Sequence, residues 1–295
     1  KEVKNKKYQV IHVQTFKNLN VEIPLYIKAK AHAKLVHTVH NVLPHETKAK
    51  DKKLYERFYN ACDRLIVHNE QSKKRLTEMF RIEEKKILVI PHGTYKVKHL
   101  ASDPRDSRKT NYLMFGVMRK YKGIDILLDA VSKIPREKRL QMEFIIAGQQ
   151  YMNQDTTDYP GMIDKLGIGD CVKFIRRRIG DEELPQLFDW ADVCVFPYRE
   201  IYGSGALLMA YSFEKPVIAS DVPAFVEETD SGSTGMLFKN KDSEALAEIL
   251  VRFSNLSCEE RDNMIASIRA LVNNKYNWVL SAKMTADLYS EVVKT

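Results

Sequence analysis

The sequence predicts an α/β protein of two halves, each a parallel sheet wrapped by helices. Short apolar runs rich in β-formers alternate with longer segments of helical period along the whole chain. The runs are almost continuously apolar, as strands covered on both faces are. At 295 residues and 44% hydrophobic content, the chain can bury two ordinary cores, the division that domain sizes favour.

In the first half, residues 1–94, the strand candidates are Tyr8–Val13, Lys34–Val39, Arg64–Val67 and Lys86–Ile90. Residues 95–110 are charged, contain Pro104 and lose the hydrophobic period, which predicts a linker. The second half, 111–277, offers Tyr112–Phe115, Glu143–Ala147, Val172–Ile175, Val193–Phe196 and Pro216–Ala219. From Cys258 onward two helices are expected. The second, 278–295, starts at Trp278, carries Val279, Leu280, Met284, Leu288 and Val292, and is expected to return toward the first half.

A formal net charge of +8 and a pI near 9.1 suit phosphate-rich ligands, nucleic acid or an anionic membrane face. No finger, helix-turn-helix or RNA-recognition signature accompanies the charge, so nucleic acid is not expected as a partner. The clusters Lys48, Lys50, Lys52, Lys53 and Lys73, Lys74 read as solvated faces. There is no apolar run of the roughly eighteen residues a membrane helix needs. Lys1–Lys7 lack the apolar stretch of a signal peptide. A cytoplasmic protein is expected, with peripheral contact to the inner membrane face left open. Cys62, Cys171, Cys194 and Cys258 lie far apart and read as small core residues.

Two segments carry chemistry. In Phe115–Ala130 a strand runs into Gly116, a loop bears Arg119, Lys120 and Lys122, and Gly123 precedes a helix. Cations thus gather where a strand ends and a helix begins, the edge at which open α/β sheets bind ligands. Arg119 offers a bidentate fork and Lys122 a point charge, a pairing suited to a diphosphate. In Ala191–Ser220 a strand ends at Pro197, Gly203-Ser204-Gly205 follows, and a helix begins. Free amides at a helix start present donors and partial positive charge to phosphate.

These segments resemble the donor-binding domain of retaining glycosyltransferases of the GT-B fold, specifically glycosyltransferase family four. Ala191–Asp221, Glu227-Glu228 and Gly235–Phe238 carry the resemblance in the second half. Thr38–Glu46, Asp63–His68 and Val89–Gly93 carry it in the first. The resemblance implies two Rossmann-like domains facing a cleft, the N-terminal one incomplete because its first strand and glycine-rich loop are missing.

It further implies that Arg119 and Lys122 stabilise the leaving diphosphate and that the amides near Ser204, Gly205 and Ala206 cradle it. His40 resembles the histidine that faces the donor sugar, with His45 and Glu46 as weaker candidates; His92 and Gly93 read as a structural turn. Glu200, with Tyr198 or Tyr202 and Gly203, is assigned to the sugar, and Arg178 and Ile179 to the nucleobase. Arg178 and its neighbours equally fit a solvated basic loop with Asp181 capping the next helix.

The implied donor is a UDP- or GDP-sugar, and the acceptor a glycan, lipid-linked or small-molecule hydroxyl. No cofactor is implied, and no metal; His40, His45 and Glu46 come nearest to a ligand set. One departure stands out. Met209 and Ile201 occupy the positions of the family's two glutamates, with Glu200 one residue early. A thioether accepts hydrogen bonds poorly, which favours, as an alternative, a noncatalytic sugar-nucleotide-binding subunit; a sugar-nucleotide epimerase or a phosphorylase on the same fold is a separate alternative.

Overall fold

The computed structural model describes residues 6–43, 49–98 and 109–294. His45, Glu46, Lys48 and most of the expected linker lie outside the described residues. The chain divides into two compact units, Lys1–Gly93 with Lys275–Thr295, and Thr94–Asn274.

The first unit holds a parallel sheet in the order β1-β2-β3-β4, with β1 Val10–Val13, β2 Lys34–Thr38, β3 Arg64–Val67 and β4 Ile87–Val89. Successive residues of a strand point to opposite faces, and β2 shows both faces filled. His37 meets Phe58 and Tyr59 of the Ala49–Ala61 helix at 5.2 and 5.8 Å between ring centroids. On the other face, Val36, Ile66 and Ile90 pack with Leu288 and Val292 of the terminal helix Trp278–Lys294. That helix therefore belongs to the first core. Its N-terminal apolar residues do not: Val279 is 78% and Leu280 37% exposed. Trp278 covers Gly93, where a Cβ would lie 2.5 Å from the indole.

The second unit holds six parallel strands in the order β10-β9-β8-β5-β6-β7. They are β5 Thr110–Phe115, β6 Met142–Gly148, β7 Val172–Arg176, β8 Val193–Phe196, β9 Val217–Ser220 and β10 Gly235–Phe238. β3 and β8 match the expected runs; β5, β6 and β7 extend one or two residues past them, β1, β2 and β4 stop one or two residues short, and β9 is shifted by one residue. β10 is not among the strand candidates; it opens on Gly235, which lacks the β-forming side chain that marks the other runs. Cys62, Cys171 and Cys194 are buried, but Cys258 is exposed. It opens the helix Cys258–Asn274, where a first-turn residue need not face the core.

Candidate functional site

The strand order fixes where a ligand can sit in the second unit. From β5 the chain passes through β6 to β7 on one side, then returns to β8, β9 and β10 on the other. The order reverses between β5 and β8, whose Leu113 and Cys194 are partners in register. The crevice beyond the carboxyl ends of two such strands is the binding position of doubly wound sheets. The cation loop leaves β5 there and the Gly-Ser-Gly loop leaves β8.

After β5 the chain makes a single 3-10 turn, Lys120–Lys122, and turns through Gly123 at φ 69° into the helix Ile124–Lys133. Only glycine adopts that conformation freely, and here it also lets the backbones meet: a Cβ would lie 2.0 Å from the Pro197 carbonyl oxygen. The two loops are thus locked together. Lys122 is 7% exposed, with Nζ 5.3 Å from the Tyr198 ring centroid. Burial, and next the like charge of Arg119, pull its pKa down to about 8. No carboxylate offsets these effects among the described residues. A buried ammonium in that position is costly until an anion joins it. That burial excludes a merely solvated turn as the setting of Lys122. Arg119 is half-buried, its guanidinium 6.0 Å from the Tyr151 ring centroid.

After β8, Ser204 is the extended N-cap of the helix Gly205–Ser212, and its hydroxyl accepts from the Leu207 N–H at 3.2 Å. The amides of Gly205 and Ala206 begin the helix and have no acceptor within it. Gly205 is exposed, and a Cβ there would approach the Tyr95 hydroxyl to 3.0 Å. Gly203 is half-buried, Tyr202 and Ser204 are buried, Glu200 is exposed and Met209 half-buried. Tyr198 is 1% exposed, and burial raises its hydroxyl pKa. It is a core residue beneath Lys122, which removes it from the candidates for sugar contact.

Sequence reasoning missed a brace behind this loop pair. The Arg199 guanidinium grips Asp125 at 2.9 and 2.5 Å and donates to the Lys120 carbonyl at 2.8 Å. Its backbone N–H donates to the Tyr121 carbonyl at 2.7 Å, and its own carbonyl accepts from Asn240 at 2.9 Å. Each partner lies in a segment rich in signals, but nothing in the spacing pairs positions so far apart.

Beyond β7, Ile179 is buried and Arg178 exposed. Asp181 does not cap the next helix. That helix runs Leu184–Trp190 with Glu183 at its N-cap position. The Glu183 carboxylate instead accepts from Gly180 N–H at 3.1 Å and pairs with Arg177 at 2.8 and 2.6 Å, which fixes the turn and leaves Arg178 exposed.

In the first unit, His40 follows β2 and is exposed. Its Nε2 lies 3.1 Å from Gln14 Oε1 and its Nδ1 3.1 Å from His68 Nε2. Burial, then His92, lowers its pKa. His92 lies beside Trp278, their ring centroids 4.7 Å apart. Among the described residues, no three His, Cys, Asp or Glu side chains are placed to hold a metal ion, and no helix is long and apolar enough to cross a membrane.

Two family profiles match: "Glycosyltransferase Family 4" over residues 1–95 and "Glycosyl transferases group 1" over residues 109–255. A GDP-mannose:glycolipid 4-beta-D-mannosyltransferase of Xanthomonas campestris is 23% identical over 186 residues, 63% of this chain and 49% of that protein. A D-inositol 3-phosphate glycosyltransferase of Corynebacterium jeikeium is 26% identical over 248 residues, 78% of this chain and 58% of that protein. The chain thus spans about half the length of the curated relatives it matches. HepE of Anabaena, solved with UDP and glucose, superposes with a TM-score of 0.80 at 18% identity, covering 96% of this chain and 78% of that one. A glycosyltransferase from Rickettsia africae superposes with a TM-score of 0.79 at 19% identity over 100% of this chain and 79% of that one. At such identities the likeness is one of fold.

Proposed function

The chain belongs to the group 1, family-four glycosyltransferases of the GT-B fold, and from that premise we propose that it moves a sugar from a UDP- or GDP-sugar to a hydroxyl acceptor. One observation carries the reading: the buried ammonium of Lys122, with no carboxylate to offset it among the described residues, over the Tyr198 ring at the switch point of its sheet. Breaking the sugar–phosphate bond builds negative charge on the leaving oxygen while the sugar gains oxocarbenium character. Fixed cations and amide dipoles aimed at that oxygen lower the barrier.

In this reading Lys122 and Arg119 take the diphosphate, assisted by the amides of Gly205 and Ala206. Ser204 holds the helix start in place. Glu200, Tyr202 and Gly203 line the sugar side, the backbone around Arg178 and Ile179 meets the base, and His40 approaches the sugar as the resemblance implies. We further propose transfer with retention at the anomeric carbon and without a metal, because side chains and amides supply the positive charge. No cofactor beyond the donor is invoked. Relatives named for GDP-mannose and solved with UDP support both nucleotides as donors. A relative named for a glycolipid supports a lipid-linked acceptor, and the net charge of +8 suits work at an anionic membrane face.

Met209 favours a second reading, a binding subunit without turnover, since a thioether stands where the family places a ribose-binding carboxylate. Product analysis separates the two. The full-length protein, given UDP- and GDP-sugars and a panel of hydroxyl acceptors, is expected to release nucleoside diphosphate and form an α-linked product from an α-linked donor. Tight nucleotide binding with no product from any pairing would establish the second reading.

A further inference from the structure

At the carboxyl ends of β1, β2 and β3, the side chains of His12, Gln14, His40 and His68 form one hydrogen-bonded run. Its direction follows from a fixed end. The Ile90 carbonyl can only accept, so His68 Nδ1, 2.9 Å away, carries a proton. His68 is held neutral by burial, which leaves a lone pair on its Nε2. That atom lies 3.1 Å from His40 Nδ1, so His40 must donate from Nδ1. A neutral His40 donating there bears its own lone pair on Nε2. A free histidine side chain prefers the opposite, Nε2–H tautomer.

Gln14 completes the run in either protonation state. Its Oε1 lies 3.1 Å from His40 Nε2 and accepts from a protonated ring. Its Nε2 lies 3.1 Å from His12 Nε2; a half-turn of the amide exchanges oxygen for nitrogen, lets it donate to the neutral His40 ring and turns its oxygen toward His12. The neighbouring His12 ring cannot rotate to compete, since the Tyr289 hydroxyl at 2.6 Å and Thr38 Oγ1 at 2.8 Å hold its two nitrogens.

We propose that His68 is a positioning residue that fixes neutral His40 as the Nδ1–H tautomer, so that Nε2 accepts a hydrogen bond from a ligand hydroxyl in exchange for Gln14. The proposal rests on the reading that His40 meets the donor sugar only for the identity of that hydroxyl. An amide or ammonium could also donate to Nε2, but a carboxylate or phosphate oxygen could not.

Histidine-selective isotope labelling of the full chain, with long-range proton–nitrogen correlation above about pH 8, reads the tautomer directly. His40 is expected with a protonated Nδ1 and a bare Nε2. In His68→Phe it should revert to the Nε2–H form. In His68→Asn, whose amide can donate to Ile90 and accept from His40, the Nδ1–H form should persist. Donor kcat/KM should fall about tenfold in His68→Phe, the scale of one hydrogen bond, and recover most of that loss in His68→Asn. An Nε2–H form in the parent, or an unchanged tautomer in His68→Phe, overturns the proposal. If the tautomers behave as stated while His40→Ala leaves donor KM and kcat unchanged, the positioning role stands and the sugar-facing reading of His40 falls.

Discussion

Lys122 Nζ lies 5.3 Å from the ring centroid of Tyr198, and both side chains are buried, at 7% and 1% exposure. The aromatic face repays part of the lost hydration of the ammonium, while Arg119 opposes it. The pair therefore stores a cost that a bound anion relieves. Lys122→Met, similar in volume and uncharged, is expected to stabilise the ligand-free protein by roughly 1–3 kcal/mol, a rise in Tm of about 2–8 °C. Nucleotide binding should weaken at the same time. Calorimetric melting with and without UDP checks both; a lower Tm with binding intact would contradict the assignment.

The same burial predicts a pH dependence with a definite sign. The Lys122 pKa is about 8 in the folded protein against an ordinary 10.5. Between these values the unfolded chain holds more protons, so this residue makes stability rise with pH across that window. Below about pH 8 the penalty is constant. A bound diphosphate favours the ammonium, so nucleotide affinity should fall as pH rises past about 8, by up to about tenfold per pH unit. Tyr121 and Tyr198 stay neutral there, since burial raises both. Titrations near about pH 7 and about pH 9.5 read the effect. Affinity that is flat in the parent, or equally steep in Lys122→Met, would refute it.

Arg199 holds Asp125 at 2.9 and 2.5 Å and the Lys120 carbonyl at 2.8 Å, and so fixes the loop that carries Lys122. Arg199→Ala should cost about tenfold in nucleotide affinity through loop disorder, the scale of a charge-assisted contact. Amide hydrogen exchange should quicken over residues 119–123. Parent-like exchange and affinity would reduce the brace to a surface ion pair.

At the helix start, Ser204→Ala removes the 3.2 Å cap to Leu207 and is expected to cost about 1 kcal/mol of stability with a small loss of affinity. Gly205→Val should bind several times more weakly than Ser204→Ala. The added side chain meets the Tyr95 hydroxyl at 3.0 Å and crowds the amides that a phosphate must reach. Equal affinities in the two variants would show that the helix start does not meet the ligand.

The sequence made the strands legible because parallel strands buried on both faces leave apolar runs, and Arg64–Val67 and Val193–Phe196 were read to the residue. It also made the two site loops legible, since glycines at strand ends and clustered cations are local signals. What it hid was pairing over distance. Arg199 with Asp125, and His68 with His40, are ordinary polar residues until the fold joins their loops. Burial was hidden for the same reason: no local signal shows that Tyr198 and Lys122 are enclosed between the β8 and β5 loops. Tyr95, placed by sequence in a linker, reaches Gly205.

Isothermal titration of UDP and GDP into the parent, Arg119→Ala and Lys122→Ala, with circular dichroism confirming fold, tests the account most directly. The parent should bind at least one of the two nucleotides. Each substitution should weaken that binding by about tenfold to a hundredfold, the loss of one charge-assisted contact of roughly 1.5–3 kcal/mol. Folded variants that bind as tightly as the parent would show that the cation loop is not the diphosphate site.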